Sequence, residues 1–269
     1  MKIIFLGTSS GVGKTAMTAM FCRHLRNSGV RVAPFKASNL SSSAYMTEDG
    51  GIGMGQALQA LASDLVPTME MNPVLLTYSE GDGVDIKIKG KSSKDVGRRE
   101  LLDIALESYD GLMSEYEAVV AEGSGSPAEI NCSENDIANI GFARERNVPA
   151  ILIGDIERGG VFAGLYGTWK LIDENDRRLL KGFVINRFRG DPTILKSGTD
   201  RITELTGMKF LGIMPLIDIH LPEEDALSSK NDRIRELNEY LTDLDEFVLI
   251  AKENLDLDSM VEIAKESSP

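Results

Sequence analysis

The chain has 269 residues, 42% apolar and 26% charged, the composition of a globular protein with enough chain for a sizeable core. Acidic residues number 42 against 29 basic ones, a formal charge of −13, so the overall field opposes nucleic-acid and membrane-surface partners while leaving room for a local basic site. Cys22 and Cys132 cannot build a disulfide framework, no apolar run reaches the ~18 residues of a membrane span, and the start Met1–Phe5 meets Gly7 before any leader core, so a reducing cytoplasm is expected.

Lys2–Leu6 reads as a strand, and Thr15–Asn27 as a helix closed by Gly29. Val30–Phe35 is a second strand, and Gly53–Leu65 is a helix stopping before Pro67. Arg98–Glu115 is a helix with charges on one face, followed by the strand Ala118–Ala121 ending at Glu122. Asn135–Arg146 reads as a helix, Pro149–Gly154 as a strand ending at Asp155, and Val161–Glu174 as a helix. Gly182–Ile185 is a strand, Pro192–Leu205 a helix and Lys209–Met214 a strand. Beyond Pro222 the pattern weakens, with helices at Asp232–Leu241 and Asp258–Ser267 and a last strand at Glu246–Ala251.

The strands are nearly continuous in Val, Ile, Leu and Ala, as strands covered on both faces are. Their alternation with helices predicts right-handed βαβ units in an α/β fold: a doubly wound, mostly parallel sheet with helices on both faces. With no repeats and no clear linker, one domain over residues 1–269 is expected, with 80–97 as an insertion and 228–269 as a less regular C-terminal part.

Gly7-Thr8-Ser9-Ser10-Gly11-Val12-Gly13-Lys14-Thr15 joins the first strand to the first helix. Small residues let the backbone N–H groups curl toward phosphate oxygens, and the helix N-terminus adds partial positive charge. Lys14, expected to be exposed on this loop, can reach β- and γ-phosphates, and the Thr15 hydroxyl can hold Mg²⁺. Thr8 stands where the strict phosphate-loop pattern has Gly, with Gly7 one residue earlier. A second lysine near Ser9 or Ser10, which partition-type ATPases use to reach across a dimer, is not in the loop.

Ligands of open α/β sheets sit beyond the carboxyl ends of the strands. Glu122 and Asp155 fall there, and each reads either as a magnesium ligand or as a helix cap or solvated loop charge. Glu122 opens the polar, glycine-rich stretch to Asn131, which contains Ser126, and Asp155 opens Asp155–Phe162, which contains Arg158 and Gly159 before a helix start. Lys36 ends the second strand and reads as a point charge for phosphate or an anionic substrate, or as a surface lysine. Asn186 offers a donor and an acceptor to an adenine edge, or is a loop-turn asparagine. His24 and His220 are too few for a histidine metal site or triad, and Cys22 reads as a small core residue. Lys87, Lys89 and Lys91 alternate onto one strand face, as a protected edge or as a rim for a polycarboxylate.

These marks together resemble the N-terminal synthetase domain of the cobyric acid synthases, in the dethiobiotin synthetase-like group of P-loop enzymes. The resemblance runs from Lys2 to about Leu227: the phosphate loop, Val32–Lys36 with Asn39, Met71–Leu76, Glu122–Asn131, Asp155–Phe162, Gly182–Asp191 and Leu221–Asp225. It implies ATP-dependent amidation of corrin side-chain carboxylates, such as those of cobyrinic acid diamide, through an acyl phosphate that ammonia displaces. It implies Mg²⁺ on Thr15 and Glu122, catalytic Lys14, Lys36 and Asp155, adenine framed by Asn186 and Pro215, and substrate contacts from Asn39, Ser126, Arg158 and Gly159. The family carries a C-terminal glutamine amidotransferase domain. None is visible before Pro269, so free ammonia, a separate glutaminase subunit or a partner lost by truncation is expected to account for the nitrogen source, and relatives of this fold commonly pair as homodimers. The family's Glu-Ile-Gly-Arg before the Ala-Gln stretch is also missing from Thr47–Gln56, where Asp49 or Glu48 is the substitute metal ligand. Two other readings remain: a dethiobiotin synthetase-like carboxylase, and a nucleotide-dependent scaffold without ligase chemistry.

Overall fold

The computed structural model describes residues 1–40, 44–47, 50–79, 83–131, 136–217 and 232–266. In chain order the first elements are β1 (Lys2–Gly7), α1 (Lys14–Asn27), β2 (Val32–Phe35), β3 (Ser38–Leu40), β4 (Ala44–Met46), β5 (Gly51–Gly53), α2 (Met54–Ala62), β6 (Val74–Ser79), β7 (Gly83–Ile88) and β8 (Lys91–Ser93). Then come α3 (Arg98–Glu115), β9 (Ala118–Glu122), α4 (Ile140–Arg146), β10 (Ala150–Asp155), α5 (Val161–Leu171), β11 (Leu180–Phe188), α6 (Lys196–Thr206), β12 (Lys209–Pro215), α7 (Asp232–Asn254) and α8 (Leu257–Lys265). No helix among the described residues is long and apolar enough to cross a membrane.

The chain divides into two compact units. The first comprises Met1–Lys14, Gly123–Asp218 and Leu249–Pro269. Its strands run β12-β11-β10-β1 and are all parallel. The register sets Gly7 opposite Ile153 and Asp155 opposite Asn186, so the loops that follow β1, β10 and β11 leave the same edge of this sheet. Successive residues of β10 point to opposite faces, yet Ala150 through Ile153 are all wholly buried. Both faces are therefore covered, which is why the strand reads as an unbroken apolar run.

The second unit comprises Thr15–Glu122 and Ile219–Val248. Here β2 and β9 pair in parallel from Val32↔Ala118 to Phe35↔Ala121. A further small sheet runs β3-β6-β7-β8, parallel at β3–β6 and antiparallel elsewhere, and β4 with β5 makes a short antiparallel ribbon. Phe35 and Tyr109 meet edge to face at 5.2 Å between ring centroids, locking α3 onto β2.

Several sequence expectations are corrected. Glu246–Ala251 is helical within α7, not a strand, because Leu244, Phe247, Val248 and Ala251 are buried at helical spacing while Leu249 is exposed. The helix expected from Asn135 begins at Ile140, since the Asp136 carboxylate takes the N–H groups of Ala138 and Asn139 ahead of it and of Gly141 in its first turn. Pro192–Leu195 is a separate 3₁₀ turn before α6. Within 80–97, β7 and β8 form a hairpin whose turn is Lys89 and Gly90, both with positive φ. Lys89 therefore leaves the strand face shared by the alternation argument and pairs with Glu70 at 3.0 Å.

Candidate functional site

In the first unit the segment Gly7–Lys14 forms a tight loop at the end of β1. A Cβ at Gly7 would lie 2.6 Å from Val12 Cγ2 and 2.9 Å from the Ser9 carbonyl, so only glycine lets the chain turn there. Gly13 has φ +99, and a Cβ on it would lie 2.4 Å from Asn186 Nδ2. Thr8 and Gly13 are half-buried, Val12 is buried, and Ser9, Ser10 and Gly11 are exposed. Lys14 is not the exposed loop lysine the sequence suggested. It is 7% exposed, because its ammonium folds back to donate to the carbonyls of Ser9 (3.2 Å) and Gly125 (2.9 Å).

Asn186 is brought to this loop from β11, where its amide donates to the Val12 carbonyl at 2.8 Å and its Oδ1 accepts the Arg187 N–H at 2.9 Å. The side chain expected to frame adenine is thus bonded to the phosphate loop itself. Pro215 lies half-buried at the end of β12, in register with Phe188. Asp155 accepts the Glu157 N–H at 2.8 Å and an Arg187 guanidinium N–H at 2.9 Å. Arg158 and Gly159 are exposed in the loop that follows. Ser126 is buried and its Oγ accepts the Ala128 N–H at 3.2 Å. Asn139 fastens the Gly123–Ser124 turn reciprocally, accepting from Ser124 N at 2.9 Å and donating to Ser124 O at 2.8 Å.

In the second unit the residues converge on Glu122. Its carboxylate is 1% exposed and, among the described residues, accepts from Thr15, Lys36, Gln56 and Gln59. The Thr15 hydroxyl and the Lys36 ammonium each reach Oε1 at 2.9 Å, and the amides of Gln56 (3.2 Å) and Gln59 (2.5 Å) reach Oε2. Lys36 is not a surface lysine: it is 2% exposed and neutralises a buried carboxylate. Asn72 holds the strand end that presents it, donating to the Lys36 carbonyl at 3.0 Å. Asn39 is buried and donates to Gln56 Oε1 at 3.3 Å, one bond removed from the carboxylate. The Cys22 thiol is pushed up to about 12 by burial, with a Ser63 hydrogen bond opposing and the Glu122 charge adding to the rise.

Sequence reasoning missed Gln56 and Gln59. Their signal is two amides three residues apart in a helix whose other residues are apolar or glycine, both fully buried. It also missed Asn72, Asn139 and Arg187. Asp49 and Glu48, the substitute metal ligands, lie outside the described residues, as do His220 and Cys132.

Among the described residues no three His, Cys, Asp or Glu side chains converge. The donors on hand for a dication are the Thr15 hydroxyl and one Glu122 carboxylate oxygen. That hard-oxygen, ligand-poor set suits Mg²⁺, which keeps most of its waters and takes few protein ligands in phosphate sites.

Residues 3–227 match the family described as the CobQ/CobB/MinD/ParA nucleotide binding domain. The chain belongs to that family. Its α/β fold with a mostly parallel sheet is the P-loop fold that the sequence implied. It is 46% identical over 235 residues to a cobyric acid synthase of Vibrio campbellii, covering 84% of this chain and 50% of that protein. It is 47% identical over 245 residues to a probable cobyric acid synthase of Methanoregula boonei, covering 88% and 51%. A Saccharopolyspora erythraea cobyric acid synthase is 45% identical over 241 residues, with 86% and 46% covered. The chain spans about half the length of these relatives.

Proposed function

We propose that the chain performs the ATP-dependent amidation of side-chain carboxylates on a corrin-type substrate, a step of cobalamin biosynthesis. The observation that carries this reading is 46% identity over 235 residues, 84% of this chain, to a protein named cobyric acid synthase.

A carboxylate is a poor electrophile and its acyl phosphate a good one. In the proposed reaction a substrate carboxylate oxygen attacks the γ-phosphorus and the bond to the ADP oxygen breaks. Ammonia then attacks the acyl carbon, phosphate leaves, and the surplus proton passes to water. Such catalysis is mainly positioning and charge neutralisation. Lys14 would turn from the Ser9 and Gly125 carbonyls to the β- and γ-phosphates. Thr15 and Glu122 would hold Mg²⁺, which when bound supplies charge neutralisation on the phosphate oxygens. Lys36, Gln56 and Gln59 would fix the Glu122 carboxylate for that task. Asp155, Arg158 and Gly159 would meet the carboxylate substrate. Free ammonia or a glutaminase subunit would supply the nitrogen.

The test incubates the purified chain with Mg-ATP, cobyrinic acid diamide and either ammonium or glutamine, and follows products by mass spectrometry. Amide formed with ammonium supports the reading. ATP binding without any amide overturns it in favour of another substrate or of a nucleotide-dependent scaffold.

A further inference from the structure

We infer that Arg187 is a substrate-binding residue whose guanidinium takes a carboxylate of the acceptor; the identity of that acceptor rests on the reading above. Three steps along β11, Ile185 to Phe188, face only two along β12, Ile213 to Pro215, which marks a β-bulge at Asn186–Arg187. Arg187 sits in it with φ +61, a left-handed conformation that side-chain-bearing residues seldom adopt. Bulges and left-handed non-glycine residues cluster where a side chain has been re-aimed for function.

The re-aiming is visible. Regular alternation would send the side chains of Asn186 and Arg187 to opposite faces. Instead Asn186 reaches the Val12 carbonyl of the phosphate loop, and Arg187 reaches Asp155, the register partner of Asn186. Arg187 is therefore anchored one residue from the phosphate loop's own brace.

Its bonding is incomplete for a structural arginine. Among the described residues its guanidinium has one acceptor, a single Asp155 oxygen at 2.9 Å, and its side chain is 36% exposed. Four of its five N–H donors remain for a carboxylate, which the planar fork binds in pairs. Beside it Arg189 pairs with Glu157 at 3.2 Å and Arg158 is exposed in the loop after Asp155, which gathers basic side chains here in a chain that is otherwise strongly acidic. A polycarboxylate approaching a protein of formal charge −13 needs such a local excess.

The test compares the chain with Arg187→Gly and Arg187→Lys. Glycine adopts φ +61 without strain, so Arg187→Gly removes the guanidinium and spares the bulge. Binding of a non-hydrolysable ATP analogue with Mg²⁺, of tricarballylate and of cobyrinic acid diamide is measured by calorimetry. Arg187→Gly should bind the nucleotide within about twofold of the parent and the carboxylate probes about 10–100-fold more weakly. Arg187→Lys should fall between them, since an ammonium lacks the fork. Tricarballylate binding that depends on Arg187, with no corrin binding, sinks the corrin reading and sustains the carboxylate site. Three outcomes overturn the inference: unchanged carboxylate binding in Arg187→Gly, a loss confined to the nucleotide, or no binding of either carboxylate probe by the parent.

Discussion

Lys36 offers the sharpest structural prediction. It and Glu122 form an ion pair whose side chains are 2% and 1% exposed, so removing one partner strands a charge beyond the reach of water. Breaking such a pair costs about 3–5 kcal/mol. Lys36→Met should therefore lower Tm by roughly 6–20 °C for a chain of this size. Glu122→Gln is also costly, because both carboxylate oxygens accept donors and one side must now present an amide N–H₂ to them. In the double variant that amide can turn toward the space left by Lys36 and donate to the Thr15 hydroxyl. The double variant should thus lose clearly less than the sum of the singles, with a coupling of about 2–3 kcal/mol. Urea unfolding of the four proteins measures it. A loss under ~1 kcal/mol in Lys36→Met, or additivity within ~0.5 kcal/mol, would refute the account of Glu122 as a buried, ammonium-neutralised carboxylate.

Three further outcomes are expected. Lys14→Ala should abolish ATP-dependent turnover at a stability cost of about 1–2 kcal/mol, because two carbonyls lose their donor; wild-type turnover in that variant would remove the phosphate-loop assignment. Burial holds the Asp176 carboxyl above its ordinary range, against the lowering pull of Arg144 and with an added push from Asp173. An acid raised on folding contributes stability below its unfolded pKa of 3.8 and loses it as pH rises through the folded value, so Asp176→Asn should be more stable than the parent at pH 7 and equal to it near pH 3. A gap that widens toward low pH in stability curves would contradict this. With its thiol pushed up to about 12, Cys22 should resist iodoacetamide at pH 8 until urea unfolds the chain; mass-spectrometric labelling of the native protein at a free-thiol rate would count against its burial.

The parts legible in the sequence are those whose physics is local. The continuous apolar runs of β1, β9 and β10 and the glycine-rich turn at Gly7–Lys14 each carry their own signature, and so do the carboxylates at the strand ends. What escaped depends on partners distant in sequence or on segments too short to show a period. Strands β3, β4 and β5 have three residues each, too few for alternation to register. Glu246–Ala251 is a short apolar run that reads equally as buried strand or helix, and only its packing selects the helix. Lys36 was legible as a strand-end lysine, but its partner Glu122 lies 86 residues on. Gln56 shows in the sequence only as the end of the Thr47–Gln56 segment and Gln59 carries no pattern of its own, and their role exists only because β9 delivers Glu122 to them. Arg187 depends on a bulge, a property of strand pairing that single-chain periodicity does not carry.

The proposed activation of a carboxylate by phosphorylation leaves an isotopic trace in the phosphate released. Cobyrinic acid diamide labelled with ¹⁸O in its carboxylates is turned over with Mg-ATP and ammonium, and the released phosphate is analysed by mass spectrometry. An acyl phosphate passes one carboxylate oxygen to phosphorus, so each amide formed should be matched by one phosphate carrying a single ¹⁸O. Amide formed alongside unlabelled phosphate, or ATP hydrolysed with no amide at all, would contradict the account.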